Sequence, residues 1–239
     1  MIGLKISLII PAYNEEKYIA SCLDSIMENS GDKFHEIIVV DNASTDETKK
    51  IVSQYRNVKI VHESNKGLTK ARQKGYLEST GDIVAYVDAD TRMPKNWFNK
   101  VENAFLNNKK LVCLSGPYIY HDIPKIQGKL VALYWYLALP IYWVVGYMTV
   151  GGNFAIKRFT LDQMNGFDTA IEFYGEDTNI ARRASKFGKV HFDINFNMQT
   201  SGRRFKGQGL VKTFWIYVTN FASEIFLKRP VTRNYTDIR

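Results

Sequence analysis

Asp88-Ala89-Asp90 places two carboxylates one residue apart. They follow Gly81-Asp82-Ile83-Val84-Ala85-Tyr86-Val87, an apolar run opened by a glycine, which predicts a buried strand ending at the acidic pair. Two carboxylates held close repel each other, and burial penalises their charged forms further. A hard divalent cation bound through oxygens removes that conflict. The plain alternative is a solvated turn whose acids cap the next helix, because Asp-x-Asp on its own is a common pattern.

The surrounding elements bear on that choice. Leu4 to Ile10 is a short apolar run ending at Pro11, and Glu15 to Asn29 has helical spacing through Tyr18, Cys22 and Ile26. Glu36 to Val40 reads as a second strand, closed by Asp41. Ser44-Thr45-Asp46 can cap a helix running to about Tyr55. Val58 to Val61 is a third strand, Gly67 to Ser79 a helix and Asp82 to Val87 the fourth strand. Strands alternating with helices in this way imply βαβ units and a mostly parallel sheet. Such sheets bind ligands at the carboxyl ends of their strands. Pro11-Ala12-Tyr13-Asn14, Asp41 and Asp88-Ala89-Asp90 all fall there, so three polar clusters converge on one rim.

Further along, Lys95 to Asn107 reads as a helix and Leu111 to Tyr120 as a strand. Val150 to Ile156 is expected to be a strand, Gly175 to Phe187 a helix opened by Glu176-Asp177, and Lys189 to Phe192 a strand.

The chain has 239 residues, enough for a sizeable core in one large domain. Its net charge of +8 admits nucleic acid, an anionic membrane or a phosphate-bearing substrate as partner. The basic residues are dispersed or lie in the tail, and no recognition motif accompanies them, so no nucleic-acid partner is expected. The only cysteines, Cys22 and Cys113, fall on the apolar face of a helix and in a strand. Two buried thiols point to a reducing compartment without a disulfide framework. Met1-Ile2-Gly3-Leu4-Lys5 runs directly into a strand and does not read as a signal peptide.

Taken together, these residues resemble the family 2 glycosyltransferases of the GT-A fold. Pro11-Ala12-Tyr13-Asn14-Glu15 is similar to the family's opening motif, and Val40-Asp41-Asn42-Ala43-Ser44-Thr45-Asp46-Glu47-Thr48 to its second. Asn65-Lys66-Gly67 with Ala71-Arg72 and Gly75 resembles the third, and Asp88-Ala89-Asp90 the DxD motif. Gly151-Gly152-Asn153-Phe154-Ala155-Ile156, Gly166-Phe167-Asp168 and Gly175-Glu176-Asp177 with Arg182 resemble the acceptor half. The resemblance runs from about Leu4 to Val190 and rests on the order and spacing of motifs that are individually weak.

It implies an α/β, Rossmann-like GT-A fold and an inverting, nucleotide-sugar-dependent enzyme. Mg²⁺ or Mn²⁺ would bridge the donor's phosphates and stabilise the departing diphosphate. Asp90 would be the direct ligand, with Asp88 on the ribose or the metal and Ala89 between them in the donor site. The main chain of Pro11, Ala12 and Tyr13 would line the nucleotide pocket, with Glu15 beside it, and Asp41 would accept a hydrogen bond from the base. Arg72 would face the base or diphosphate, unless it is a solvated helix arginine. Arg203 and Arg204 are expected as diphosphate contacts. They lie near where processive members carry Gln-x-x-Arg-Trp, but Gln199 stands at a different distance and no Trp follows, which argues against processivity. Asp177 would be the catalytic base, taking the proton of an acceptor hydroxyl. The plain alternative is an acid favoured in a helix's first turn. His62 and His191 are left out of the metal site as structural histidines.

From Leu130 through Ile156 there is no charged residue, and Leu130 to Met148 is nearly long enough to span a bilayer. A single crossing would part Asp88 and Asp90 from Asp177, so the run must return to its own side. Pro140 is expected to break it into two short helices or a re-entrant loop. Its Tyr and Trp residues suit a membrane interface, and a buried helical pair or an oligomer interface is the alternative. From Leu210 to Leu227, Val211, Phe214, Trp215, Val218, Phe221, Ala222 and Ile225 recur at helical spacing opposite Lys212, Thr219, Asn220, Ser223 and Glu224. That pattern describes an amphipathic helix, packed on the core or lying in an interface. Lys228, Arg229, Arg233 and Arg239 follow it and favour anionic lipid.

The expected layout is a nucleotide-sugar half over 1–120, an apolar insertion facing the membrane over 121–150, an acceptor half over 151–206, and an amphipathic helix with basic tail over 207–239. The expected partners are a nucleotide-diphosphate sugar (UDP is the family's commonest carrier), a lipid or lipid-linked acceptor and an anionic membrane surface, for a cytoplasmic enzyme held peripherally. A polyprenyl-phosphate sugar synthase is the nearest alternative. A non-catalytic nucleotide-sugar-binding or scaffold protein is the alternative from another class. The oligomeric state stays open.

Overall fold

The structure, a computed structural model, describes residues 3–232. Met1, Ile2, Arg233 and Arg239 lie outside the described residues. The first half alternates as expected: β1 (Ile6–Ala12), α1 (Ile19–Ser30), β2 (Glu36–Asp41), α2 (Thr48–Val52), β3 (Val58–His62), α3 (Leu68–Glu78) and β4 (Ile83–Val87). Then come β5 (Thr91–Arg92), α4 (Trp97–Asn107), β6 (Leu111–Ser115), β7 (Tyr118–Tyr120) and α5 (Lys125–Val145). The remainder is β8 (Asn153–Lys157), α6 (Arg158–Gln163), α7 (Glu176–Ala184), β9 (Lys189–Phe192), β10 (Met198–Thr200), α8 (Arg203–Gln208) and α9 (Leu210–Leu227).

Seven strands form one sheet in the order β3-β2-β1-β4-β8-β6-β9. Every neighbouring pair is parallel except those made by β8, which runs antiparallel between β4 and β6. This is the α/β, mostly parallel sheet that the sequence predicts. β1 and β4 are buried along their whole length, as strands covered by helices on both faces must be. One core lies between the sheet and α1 and α4, the other between the sheet and α3, α6 and α7. Cys22 and Cys113 are both fully buried, unpaired thiols.

A second sheet, β5-β10-β7, is too short to show any periodicity and was not foreseen. It fastens Thr91-Arg92, directly after the acidic pair, to Gln199-Thr200, which Ser201 and Gly202 join to Arg203. The expected strand from Leu111 to Tyr120 divides into β6 and β7 at Gly116-Pro117. Pro117 has no N–H to give a ladder, and a side chain on Gly116 would collide with the Phe196 carbonyl.

Pro140 does not break the apolar run. α5 is one helix of 21 residues with Pro140 inside it. Proline leaves the carbonyl four residues earlier without its helical partner. Here that residue is Tyr136, on an exposed flank where an outside donor can reach it. The opposite flank packs on the domain through Ala138, the Trp135 indole (Nε1 to Tyr118 O, 3.2 Å) and the Tyr142 hydroxyl (to Val190 O, 3.2 Å). α5 is long and apolar enough to cross a membrane, yet only 6% of its most apolar window is buried in the protein.

α9 spans the expected Leu210–Leu227, and its rotation bears on the two alternatives, core packing or an interface. Its buried residues are Thr213, Asn220, Ser223 and Glu224, whereas Val211, Phe214 and Trp215 are exposed. Of the apolar side, Val211, Phe214 and Trp215 are exposed while Val218, Phe221, Ala222 and Ile225 are half-buried; of the polar side, Lys212 and Thr219 remain exposed. α5 and α9 meet through the Tyr134 and Phe214 rings, whose centroids lie 5.5 Å apart.

Asn153 joins the two halves. Its Nδ2 donates to Gly116 O (3.1 Å) and Phe196 O (2.7 Å), and its Oδ1 accepts the Trp97 indole N–H (2.9 Å), all without access to water. Asn153→Ala strands these three partners in the core. It is expected to destabilise the fold by at least about 3 kcal/mol in urea titration; a loss under about 1 kcal/mol would show that the network does not hold the halves together.

Candidate active site

The carboxyl ends of β1, β2 and β4 form one rim. Parallel register sets Ala12 opposite Asp41, so the first two motifs emerge side by side. Asp41 is almost fully buried, accepts the Ser44 N–H (3.2 Å) and pairs with His62 Nδ1 (3.2 Å). Tyr13 lies under the Lys66 ammonium, 3.9 Å from its ring centre. His191 sits apart from the rim, 3.5 Å from the Tyr142 hydroxyl.

Pro11, Glu15, Asp88, Ala89, Asp90, Arg203 and Arg204 line one pocket, closed on its far side by Tyr118, Tyr120 and Tyr217. Among the predicted site residues, these are the ones the structure brings together directly. Ala12, Tyr13 and Asp41 continue the rim beyond this pocket.

Arg203, from the first turn of α8, reaches back across the pocket. Its Nε lies 2.9 Å from Asp90 Oδ2, and its two terminal nitrogens donate to the two Glu15 oxygens at 2.7 Å each. The fork matches the carboxylate geometry of Glu15 and neutralises Asp90 with the remaining edge. Arg204 lies over the Phe173 ring (4.7 Å) and donates to the Tyr174 hydroxyl (3.3 Å).

Arg72 is placed differently from its expected role. It is 1% exposed and lies beneath Asp88, not on the pocket wall. Its NH2 donates to Asp88 Oδ1 (3.2 Å), and its NH1 lies 2.5 Å from Glu176 Oε2. One guanidinium thus joins the acidic strand end to the first turn of α7. The other Asp88 oxygen accepts the Tyr118 hydroxyl (2.8 Å). Tyr118 and the Arg72–Glu176 pair are contacts that sequence reasoning missed. Nothing in the spacing marks Tyr118, whereas Glu176 was legible as half of an acidic pair.

The glycines of Gly151-Gly152 have a steric reason. A Cβ on Gly151 would meet Glu176 Oε1 at 2.5 Å and both Arg72 terminal nitrogens at about 3 Å. A Cβ on Gly152 would collide with Asp88 and the Tyr118 hydroxyl. Only glycine lets the backbone pass between these charged pairs.

Asp177 follows Glu176 at the start of α7. Its Oδ1 accepts the Thr178 N–H (2.7 Å), and its main-chain oxygen accepts the Thr149 hydroxyl (2.6 Å). Burial raises its pKa, opposed by the Thr178 N–H and the charge of Arg72. Burial also pushes Glu176 up to about 7, against the pull of Arg72. Asp177 in turn acts on Tyr217 of the pocket wall, so the acidic first turn shares the pocket's field.

Among the described residues, no group of three or more His, Cys, Asp and Glu is arranged to hold a metal alone. Glu15, Asp88 and Asp90 nonetheless converge, and Asp90 is held at an anionic centre that a guanidinium already satisfies. This donor set fits a hard cation at Asp90 whose remaining ligands come from a bound diphosphate. Asp88 already meets Arg72 and Tyr118, and Asp90 meets Arg203.

The sequence profile described as "Glycosyl transferase family 2" matches residues 7–198. The chain belongs to this family. A glucosyl-dolichyl phosphate glucuronosyltransferase of Haloferax volcanii is 23% identical over 207 residues, covering 79% of this chain and 61% of that protein. The putative glycosyltransferase EpsH of Bacillus subtilis is 35% identical over 89 residues, covering 36% of this chain and 26% of that protein. The chain thus spans less than two thirds of these relatives' length, 61% and 26%. Among solved structures, the mannosyltransferase PcManGT of Pyrobaculum calidifontis, in complex with GDP-Man and Mn²⁺, superposes with a TM-score of 0.70 at 22% identity, over 95% of this chain and 64% of that one. Glucosyl-3-phosphoglycerate synthase of Mycobacterium tuberculosis, with Mn²⁺, UDP and phosphoglyceric acid, gives 0.65 at 20%, over 95% and 78%. These likenesses establish the GT-A fold.

Burial, with Asp88 and Glu15 beside it, pushes the Asp90 carboxyl up to about 7 despite Arg203. A raised carboxyl pKa means that the group takes up its proton as pH falls through that value, and a protonated carboxyl does not bind metal. Mn²⁺ binding in the presence of UDP is therefore expected to weaken by roughly tenfold per unit below about pH 7, read by electron paramagnetic resonance. An affinity that stays flat to about pH 5 would remove Asp90 from the ligand set.

Proposed function

We propose that the chain transfers a sugar, with inversion, from a nucleotide-diphosphate donor to a hydroxyl of a lipid or lipid-linked acceptor. The observation that carries this reading is the Arg72 bridge. It ties Asp88, on the donor side of the family's pattern, to the Glu176-Asp177 turn on the acceptor side.

The main chain of Pro11 to Tyr13 lines the nucleotide site, and Asp41 accepts a hydrogen bond from the base. Asp88 holds the ribose or the cation, and Asp90 is the cation's protein ligand. Arg203 exchanges its carboxylate partners for the donor's diphosphate, with Arg204 beside it. Mg²⁺ or Mn²⁺ at this site supplies charge stabilisation to the departing diphosphate. Asp177 accepts the proton of the acceptor hydroxyl while that oxygen bonds to the anomeric carbon. The carbon's bond to the diphosphate breaks on the opposite face, and the nucleoside diphosphate leaves with the electron pair. A raised pKa suits Asp177 to this task, since a stronger base accepts a proton more readily. UDP is the preferred carrier on family frequency. The solved neighbours hold either UDP or GDP-Man.

Two observations support a lipid-linked acceptor. The Haloferax volcanii relative is named for a dolichyl-phosphate-linked sugar. The outer flanks of α5 and α9 expose Leu137, Trp143, Val144, Trp215 and Phe226, edged by Lys125, Lys129, Lys212, Lys228 and Arg229. Aromatic and aliphatic side chains bordered by cations fit the surface of an anionic bilayer. α5 lies along the domain through Trp135, Ala138 and Tyr142, which supports a peripheral rather than a spanning attachment.

Asp177→Asn is expected to retain Mn²⁺-dependent UDP binding and to lose transfer by roughly a hundredfold or more. A panel of UDP- and GDP-sugars with lipid extracts as acceptors provides the assay, and full turnover by the variant sinks the base assignment. In flotation with phosphatidylglycerol-containing vesicles, the full-length protein should rise with the lipid. A protein that stays wholly in the soluble fraction rules out membrane docking.

A further inference from the structure

α9 lies beyond the segment matched to the family, so its part in the molecule must be read from its own contacts. Its inward face carries a carboxylate with no exposure at all, Glu224. Glu224 Oε1 accepts Asn179 Nδ2 (2.9 Å), Arg182 NH2 (2.8 Å) and, at longer range, Arg182 Nε (3.3 Å). Both partners sit on α7, one and two turns after Glu176-Asp177. Asn220, one turn before Glu224, is also buried. It exchanges two hydrogen bonds with Thr232, which secures the chain leaving the helix.

Burying a carboxylate is costly, and an apolar side chain would fill the same space without that penalty. What the charge does supply is a fixed rotation. Only one face of α9 can meet Arg182, and that choice turns Val211, Phe214 and Trp215 outward. The same helix reaches the pocket through Thr213 and Tyr217. α9 therefore touches the outer surface, the pocket wall and α7, the helix whose first turn holds Glu176 and Asp177.

We propose that Glu224 is a positioning residue. Through Arg182 and Asn179 it fastens the helix that meets the bilayer to α7, and so holds Asp177 toward an acceptor arriving from the lipid surface. This inference rests on the transferase reading above and names how the acceptor side of that site is set in place.

Hydrogen–deuterium exchange on the full-length protein tests it, alone and with phosphatidylcholine–phosphatidylglycerol vesicles. In the wild type, vesicles should slow exchange in both α9 and α7. Glu224→Leu keeps the outward face, so it should still bind vesicles and slow exchange in α9. Its α7 amides should exchange on the order of tenfold faster than those of the wild type, with or without lipid. For the nucleotide sugar that the wild type turns over, kcat should fall by roughly tenfold to a hundredfold, as for a base displaced by about 1 Å, while the donor KM is unchanged. Glu224→Gln retains an acceptor for Asn179 and Arg182 and should restore most of both readouts.

Unchanged α7 exchange in Glu224→Leu overturns the proposal. So does an equal rise across β1 and β4, which would mark general loosening. Failure of the wild type to bind vesicles overturns the bilayer's part. Asp177→Asn with full turnover sinks the base assignment by itself and leaves the exchange result standing, so the two failures are distinguishable.

Discussion

The arrangement of this site depends on how negative charge is held out of water. Glu15, Asp88, Asp90 and Glu176 crowd one rim, and two guanidinium groups keep them there. Arg72 is the stronger constraint because it is wholly buried and shared. Removing one member of a buried pair costs about 3–5 kcal/mol, since the survivor is left charged without water. An exposed pair such as Lys50–Glu47 contributes little, because water and salt screen it. The positions of Asp88 and of the first turn of α7 are therefore coupled by Arg72 far more strongly than by any surface contact. Arg203 differs in kind. It lies at the pocket edge, is partly exposed, and holds groups that a bound diphosphate and cation would also claim.

Local sequence follows from that constraint. The backbone at Gly151-Gly152 must pass between the Arg72–Glu176 and Asp88–Tyr118 pairs, and any side chain there would displace a charged atom. Asn153 follows immediately and spends all its hydrogen bonds on Trp97, Gly116 and Phe196. That fixes β8 between β4 and β6, running against both. The antiparallel strand brings the chain that follows it back beside β4, so Asp88 and Glu176 meet through Arg72 on one rim. The small β5-β10-β7 sheet does the same for Arg203, delivered next to Asp90 by two paired residues on either side.

Much of this was legible beforehand, and the gaps have physical causes. Long apolar strands and alternating helices announce a parallel sheet, and strand ends locate Pro11, Asp41 and Asp90 without further help. Two- and three-residue strands carry no period, so β5 and β10 were invisible, and with them the reason Arg203 faces Asp90. The resemblance placed Arg72 against the base or diphosphate, and a motif match does not say what lies above the side chain. Asp88 lies above it, and that follows only from the pairing of α3 with the sheet. Pro140 was read as a break because a lost hydrogen bond is costly in a dry core. On an exposed flank the cost falls, and the helix continues.

For the C-terminal helix, the sequence left two alternatives, packing on the core or lying in an interface. A moment calculated from sequence finds an apolar side and a polar side but does not say which medium each will meet. In water the apolar side should turn inward, because each Val, Phe, Trp or Leu so buried contributes about 1.5–3 kcal/mol. With several such residues the preference would exceed what a buried Glu224–Arg182 pair returns, since such pairs roughly break even against apolar replacements. The observed rotation makes physical sense where the outer face meets something other than water. At a bilayer surface the apolar flank of α9, continuous with that of α5 through Tyr134 and Phe214, no longer needs the protein core. The inner face is then free to carry polar groups whose partners lie on α7. Under the proposed bilayer docking, the buried polar groups of α9 and its exposed apolar residues would both follow from that one environment.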